Sequence, residues 1–325
     1  MNFGVVLLTQ HDRDRNRRDC AAELREQAQL VDREGYDSVW VAAHHFTEDL
    51  YFENFQTLGH IAALTDDVTV GTCVAILPLH NPVQLAERLG TLDVLADGRL
   101  VFGAGVGYRD REFALSGVPK AERGRRTTEA IGLIRRLWRE DGVSFEGEIF
   151  DIEDASINPK PLQDGGPPIW LGGGAEPALR RAGDIGDGWV IGSSATIDAI
   201  AEMQEVYEDA LTGEPHARPL RREVFVAETD ERAKELALPS LSAKYDKYAA
   251  WGSPEDLGDE EESFEEFAAD RFLIGAPETV AAGIERYEKQ LGVDHLVMRF
   301  QWPGMDHDVA ARSMELFADE VIPAV

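Results

Sequence analysis

The stretch from 68 to 104 is VTVGTCVAILPLHNPVQLAERLGTLDVLADGRLVFGA, and it contains the repeat that decides the fold. Its first apolar run, Val68–Ala75, is rich in β-branched residues and predicts a buried strand. Val83–Ala96 has the apolar spacing of an amphipathic helix, and Leu100–Ala104 predicts the next strand. This order of elements predicts a parallel βαβ unit, because near-continuous apolar strands separated by helices are typical of a sheet buried on both faces.

The same alternation continues on both sides of this stretch. Six further short apolar runs predict strands: Phe3–Leu8, Ser38–Ala42, Pro168–Leu171, Trp189–Ile191, Glu223–Ala227 and Asp294–Phe300. Helical stretches separate them. Eight βα units favour a closed (β/α)₈ TIM barrel of the α/β class over an open sheet.

Two segments interrupt the repeat. The segment Val143–Pro161 alternates like a β-hairpin, and Leu238–Asp270 carries the acidic run Asp259–Glu262. Both can be surface insertions, the second with a solvated charged face, or they can form a lid over the mouth of the barrel. The chain contains no repeat or low-complexity linker, so we expect a single domain over residues 1–325.

Charge and cysteine content limit the partners of this protein. Asp and Glu number 61 against 32 Lys and Arg, which gives a net charge of −29. Such a surface repels nucleic acid and anionic lipid, and it indicates adaptation to high salt.

The apolar runs are too short for a signal peptide or a membrane span. Cys20 and Cys73 fit neither a disulfide framework nor the spacing of zinc ligands. We therefore expect a cytoplasmic protein with a small-molecule substrate.

Two adjacent histidines follow the second predicted strand. Active sites of barrels lie at the carboxyl ends of the strands, where His44 and His45 stand. Adjacent residues of an extended chain point to opposite faces, so only one should enter the barrel. That histidine is either hydrogen-bonded in a loop or an acid–base group. No matching ligands follow the other strands, so no metal site is predicted.

Glycines follow the fourth and fifth predicted strands. Gly105 and Gly107 lie in the run FGAGVGY, and Gly172–Gly174 open the run GGGAEP at the start of a helix. Amides at a helix N-terminus bind anions well, which predicts a phosphate site, although an ordinary strand-to-helix turn also explains the pattern. Glu176 suits a phosphate there only if its side chain turns outward. The spacing does not match the dinucleotide fingerprint, which disfavours a nicotinamide Rossmann domain.

These features belong to a larger set of motifs along nearly the whole chain. The set comprises Asn2-Phe3-Gly4, Gly35–Trp40 (GYDSVW), His44–Glu48 (HHFTE), Gly71-Thr72, Leu77-Pro78, His80–Val83 (HNPV), Gly186–Trp189 (GDGW), Gly275–Glu278 (GAPE) and Val321–Pro323. As a set they resemble the bacterial-luciferase-like family of flavin-dependent oxidoreductases. The resemblance implies the same barrel and a cofactor, FMN or the deazaflavin coenzyme F420, bound in its mouth.

The resemblance also implies roles for individual residues. His44 stands at the active-site histidine of the family. A cis peptide bond between Cys73 and Val74 is expected to support the cofactor ring. The glycines after the fourth and fifth strands are expected to hold the phosphate tail: Gly105, Gly107, Gly172, Gly173 and Gly174.

Some positions depart from the family pattern. Val106 replaces the arginine that binds phosphate in FMN-using luciferases, and Arg109 is the candidate to take over that role. Gly173 and Glu176 replace hydroxylated residues of the family. The GAGVGY run resembles the F420-dependent branch, which a haloarchaeal source would also suit. Ala43 replaces the acidic residue that often precedes the histidine pair.

The sequence therefore predicts an oxidoreductase that moves a hydride between coenzyme F420 and a small organic substrate, with His44 handling the proton. An FMN-dependent monooxygenase is the first alternative. A flavin-binding barrel without catalytic activity is an alternative of another class. The resemblance makes a homodimer, associated through the barrel helices, the expected assembly.

Overall fold

Eight parallel strands form the centre of the computed structural model, which describes residues 1–253 and 263–325. The strands, in chain order, are β1 (Asn2–Val6), β2 (Ser38–Val41), β3 (Thr69–Thr72), β4 (Leu100–Gly105), β5 (Ile169–Gly172), β6 (Gly188–Val190), β7 (Pro219–Val226) and β8 (His295–Arg299). Each matches one predicted strand. The predicted start of β7, Glu223, is four residues later than the observed start, Pro219, because the charged residues Arg221 and Arg222 interrupt the apolar run.

The strands pair in the order β6-β5-β4-β3-β2-β1-β8-β7. Parallel bridges from Gly188 to Ala217 and from Ile191 to Leu220 then join β6 to the β7 side. This closes the sheet, so the predicted α/β (β/α)₈ TIM barrel is confirmed.

Helices surround the barrel. They are α1 (Arg17–Arg33), α2 (Asn54–Ala62), α3 (Pro82–Leu95), α4 (Asp110–Ser116), α5 (Arg123–Arg139), α6 (Glu176–Ile185), α7 (Ile197–Glu208), α8 (Asp230–Ala250), α9 (Phe264–Ala269), α10 (Pro277–Leu291) and α11 (His307–Leu316). Among the described residues, no helix is both long and apolar enough to span a bilayer.

The two predicted insertions have different structures. Val143–Glu146 pairs with Asp151–Ala155 in an antiparallel hairpin, which confirms the first prediction. The segment 238–270 contains the second half of α8 and all of α9, whereas its acidic run at 259–262 lies outside the described residues. A short strand, Leu273–Gly275, pairs with the outer end of β7.

Aromatic side chains fill the lower half of the barrel interior. The rings of Trp40 and Trp170 stack with centroids 4.9 Å apart, and the His295 ring packs edge-on against both. Gly71 on β3 makes this packing possible, because a Cβ there would lie 2.3 Å from Trp40 Cζ3. The lower barrel is thus a packed core.

Replacing Gly71 with alanine should therefore destabilise the protein. The added methyl group overpacks the Trp40 site, which typically costs about 1–3 kcal/mol. Gly132→Ala is the matched control, since a Cβ at Gly132 in α5 meets nothing within 4 Å and should stabilise the helix by about 0.5–1 kcal/mol. Urea unfolding of both variants measures the difference. Equal stability of the two variants would contradict the packing.

The buried His295 predicts a pH dependence of stability. Its Nε2 lies 2.8 Å from Ser38 Oγ, and burial, with the nearby His216, lowers its pKa from 6.5 to about 4. The unfolded chain therefore binds an additional proton between these pH values, so the free energy of unfolding falls as the pH drops from about 6.5 to about 4.

The slope from this one group approaches about 1.4 kcal/mol per pH unit. His295→Gln keeps a side-chain nitrogen for Ser38 but does not titrate, so its unfolding free energy should fall less steeply over the same range. Denaturant titrations at several pH values test this, and an unchanged slope would show that His295 does not contribute.

Candidate active site

Helix α8 lies across the mouth of the barrel, which is the end where the parallel strands terminate. Lys244 Nζ bonds to Glu223 Oε1 on β7 at 2.6 Å, and both side chains are buried. Lys247 Nζ bonds to Asp49 Oδ2 at 2.7 Å, in the segment after β2. The part of the second predicted insertion that the structure describes in α8 thus covers the mouth.

His44 and Glu112 form the central pair beneath this cover. His44 follows β2, and Glu112 lies in the first turn of α4 and is fully buried. His44 Nδ1 is 3.2 Å from Glu112 Oε1, which also accepts the His45 backbone N–H at 2.8 Å and Arg109 Nη1 at 3.2 Å. One carboxylate oxygen therefore fixes the loop after β2 to the start of α4.

The electrostatics of the pair keep the carboxylate charged and the imidazole neutral. Burial alone would raise the pKa of Glu112, but the His44 and His45 hydrogen bonds and the Arg109 charge hold it below its ordinary value. Burial lowers the pKa of His44, against the opposing effect of Glu112. An ionised Glu112 only accepts hydrogen bonds, so Nδ1 carries the proton and Nε2 has the free lone pair.

Four aromatic rings surround His44, and we call them the aromatic cage: Tyr51, Tyr108, Tyr248 and Trp251. Their centroids lie 5.9, 5.9, 5.5 and 5.2 Å from that of the imidazole, and each ring meets it edge-to-face. Tyr248 is in α8 and Trp251 directly follows it, so the covering helix completes the cage. The cage keeps water away from the imidazole on several sides.

His45 takes the opposite direction, as the alternation along an extended chain predicts. Its Nε2 is buried without a hydrogen-bond partner in the described structure, and its ring lies 6.2 Å from that of His80. No group of three His, Cys, Asp or Glu side chains within the described ranges is placed to hold a metal ion.

The predicted ring-binding residues meet on the side of the mouth next to β3. The Cys73–Val74 peptide bond is cis, as the resemblance implies. Cys73 is buried and Val74 is partly exposed. A Cβ at Gly105 would lie 2.8 Å from the Val74 side chain, and one at Gly172 would lie 3.3 Å from it. The structure thus brings these four residues together, and the glycines leave room for Val74.

The predicted tail-binding loop leads into α6. The N-cap of this helix, Ala175, makes no side-chain hydrogen bond, so no side chain of the described structure caps the first turn. Glu176 turns along the helix to Arg180, with Oε1 and Nε 2.9 Å apart. Trp189 Nε1 donates to the Gly173 carbonyl at 2.7 Å, which orients the loop. This arrangement fits a phosphate group, because main-chain N–H groups at a helix start attract anions.

Gly107 and Arg109 lie in the segment that follows β4. Gly107 has a φ of +73° and packs against Ile76 and Phe113. Arg109 bonds to Glu112 and to the His45 carbonyl, and its guanidinium lies 4.2 Å from the centroid of the Trp251 ring. The structure therefore groups Arg109 with His44 and the aromatic cage.

Sequence reasoning missed Glu112 and the residues of the covering helix. Ala43 stands where an acidic residue often precedes the histidine pair. The carboxylate that contacts His44 comes instead from Glu112, which lies 68 positions further along the chain. The signal in the sequence was weak, because an acidic residue in the first turn of a helix is common on solvated surfaces.

The chain is similar to known proteins over nearly its whole length. The family model described as luciferase-like monooxygenase matches residues 1–295. The chain belongs to this family. Its members include oxidoreductases that use F420 and monooxygenases that use flavin, and this protein is accordingly an oxidoreductase of the family.

Two relatives and one solved structure illustrate the range of the family. An F420-dependent glucose-6-phosphate dehydrogenase of Amycolatopsis mediterranei is 28% identical, and the match covers 93% of each chain. The oxygenase component of a flavin-dependent trigonelline monooxygenase of Acinetobacter baylyi is 25% identical over 93% of this chain and 89% of its own. The monooxygenase RslO1 of Streptomyces bottropensis superposes with a TM-score of 0.89 over 99% of both chains at 23% identity, which shows the shared fold.

Proposed function

We propose that this protein transfers a hydride between coenzyme F420 and a small organic substrate, with His44 exchanging the accompanying proton. The observation that carries the proposal is the imidazole of His44, held by the buried Glu112 and enclosed by the aromatic cage at the barrel mouth. Similarity to F420-dependent dehydrogenases over 93% of the chain supports the choice of cofactor.

The residues of the chain would have distinct tasks. Glu112 holds Nδ1 of His44 protonated, so that Nε2 accepts or returns a proton of the substrate. The aromatic cage and α8 exclude water from that exchange. Arg109 holds both Glu112 and Trp251 in position. A bound deazaflavin ring would supply the hydride chemistry, while the protein supplies orientation and electrostatics.

The residues that would hold the cofactor fall into two groups. Cys73, Val74, Gly105 and Gly172 would support the ring, since they form one surface beside β3. Gly173 and Gly174, with the uncapped start of α6, would bind the phosphate of the tail. Gly107 would allow the chain after β4 to approach the tail.

Turnover measured with each cofactor tests the proposal. Oxidised F420 should lose its visible absorbance when mixed with the enzyme and a substrate from a panel of small alcohols. Reduced FMN with oxygen should give no oxygenated product from the corresponding ketones and aldehydes. Turnover with FMN alone would replace the proposal by the flavin-dependent alternative, and no turnover with either cofactor would favour a binding protein.

The flavin-dependent monooxygenase remains the second candidate for a specific reason. The match to the trigonelline monooxygenase component covers 93% of this chain, close to the coverage of the F420-dependent relatives. Val106 disfavours this candidate, because it offers no charge to a flavin phosphate.

We also propose that the protein forms a homodimer through its barrel helices. Val94 and Leu95, at the end of α3, expose 37% and 68% of their surface. Burying such apolar side chains between two copies stabilises association. A charge of −29 opposes it, so high salt should favour the dimer.

A further inference from the structure

A buried ion pair joins the covering helix to the barrel, and the proton exchange described above has not yet given it a task. Lys244 in α8 and Glu223 on β7 expose 1% and 0% of their side chains, and Lys244 Nζ lies 2.6 Å from Glu223 Oε1. Arg221 Nη2 is 3.8 Å from the same oxygen. Lys244 therefore makes the hydrogen-bonded contact with this oxygen, and Arg221 stands further away.

The second oxygen of the carboxylate is held by the barrel itself. Glu223 Oε2 accepts the N–H of Trp302 Nε1 at 2.5 Å, and Trp302 is fully buried in the segment that follows β8. With a separate partner on each oxygen, the carboxylate has a single orientation. The barrel thus presents a fixed acceptor to α8, and this acceptor sets the position of the Lys244 ammonium group.

The same ammonium group contacts a ring of the aromatic cage. Lys244 Nζ lies 4.9 Å from the centroid of the Tyr248 ring, one turn later in α8, which is within reach of a cation–π contact. Tyr248 meets His44 edge-to-face at 5.5 Å and stacks on Trp251 at 5.4 Å. A continuous series of contacts therefore leads from Glu223 through Lys244 and Tyr248 to His44.

The attachment of α8 to the barrel does not depend on this ion pair alone. Four other residues of α8 pack in one apolar cluster with Phe225 of β7: Ala233, Ala237, Leu241 and Tyr245. An apolar pair of similar volume is often at least as stabilising as a buried ion pair. Stability is thus a poor explanation for charges at this place. A directional contact explains them better, because it fixes one register of α8 against β7.

We propose that Glu223 and Lys244 are positioning residues, whose contact fixes the last turns of α8 so that Tyr248 lies beside His44. The assignment rests on the proposed function, because the proton exchange at His44 is the step that such positioning would serve. Both residues would act through Tyr248, by keeping water away from the imidazole. A misplacement of about 1 Å near the reacting atoms can cost about a hundredfold in rate.

Substitution of Lys244 tests the proposal. Lys244→Met keeps the apolar stem of the side chain and loses the ammonium group. We expect kcat with F420 to fall by about ten- to hundredfold. The affinity for F420, measured by absorbance titration, should change little, because the predicted ring-binding residues lie after β3, β4 and β5. Lys244→Arg keeps the cation and should restore part of the turnover. An unchanged kcat in Lys244→Met would overturn the proposal.

The matched control is Lys234→Met in the first turns of the same helix. Lys234 Nζ lies 3.0 Å from Glu265 Oε1, and both side chains are exposed. This variant also loses an ion pair of α8, but one that does not contact the aromatic cage. It should retain the kcat of the wild type. An equal loss of kcat in both variants would show that Lys244 has no special task.

A double variant separates positioning from stability. Lys244→Met alone leaves Glu223 buried without its direct partner, so the melting temperature should fall. Glu223→Gln combined with Lys244→Met removes both charges, and the glutamine can still accept from Trp302. The double variant should regain most of the melting temperature while its kcat stays low. Recovery of kcat together with the melting temperature would assign the pair a structural role alone and overturn the proposal.

The accessibility of His44 tests the positioning without any cofactor. The His44 side chain is 11% exposed, so its modification by diethyl pyrocarbonate, located by mass spectrometry, should be slow in the wild type and in Lys234→Met. It should be several times faster in Lys244→Met and in the double variant. Equal rates in all four proteins would overturn the proposal. Faster modification would support the positioning even if the protein had no turnover with F420 and the proposed function failed.

Discussion

Replacing His44 with glutamine should lower turnover by about a hundred- to ten-thousandfold, the range usually lost with a general acid or base. Glutamine is similar in size and can still hydrogen-bond to Glu112, so α4 and the aromatic cage should keep their places. The amide cannot exchange a proton near neutral pH. We therefore expect kcat to fall while the affinity for the cofactor, measured by absorbance titration, changes little.

The matched control for this prediction is His60→Gln, since His60 is exposed on α2. It should retain the turnover of the wild type. If His44→Gln retained full turnover as well, the proton would be exchanged elsewhere and the central role of His44 would be wrong.

Replacing Glu112 with glutamine should lower turnover by about ten- to hundredfold, which corresponds to losing one buried hydrogen bond to a charged group. Glu112 raises the pKa of His44 against the effect of burial. Without its charge, the pKa of His44 falls further, so the acidic limb of the pH–rate profile should move to lower pH. A profile measured from acidic to neutral pH shows this shift.

A second effect of Glu112→Gln is on stability. The variant leaves Arg109 buried beside the Trp251 ring without its carboxylate, so the melting temperature should fall. Glu285→Gln, on the surface of α10, controls for loss of a charge. A lower melting temperature with an unshifted pH profile would assign Glu112 a structural role alone.

The fold could be predicted from the sequence because local pattern and overall architecture agree. The run from Val68 to Ala104 contains a complete βαβ unit whose apolar spacing fits only one arrangement. The hairpin at Val143–Ala155 was visible for the same reason. The start of β7 could not be predicted, because Arg221 and Arg222 place charge where a buried strand is expected to be apolar.

The candidate site could be predicted only in part. His44 stood out because it directly follows a strand, whereas Glu112 and Trp251 reach it from distant segments. Lys244 lies in the segment predicted to be a surface insertion or a lid, and it is buried against Glu223. Such contacts depend on how α4 and α8 pack over the mouth, and periodicity along the chain carries no information about that packing.

The most direct test of the account is a crystal structure of the protein grown with oxidised F420. We expect the ring to lie in the barrel mouth between Val74 and the imidazole of His44, with its phosphate against Gly173 and Gly174. A ring bound elsewhere, or a mouth still filled by Tyr248 and Trp251 at saturating cofactor, would contradict it.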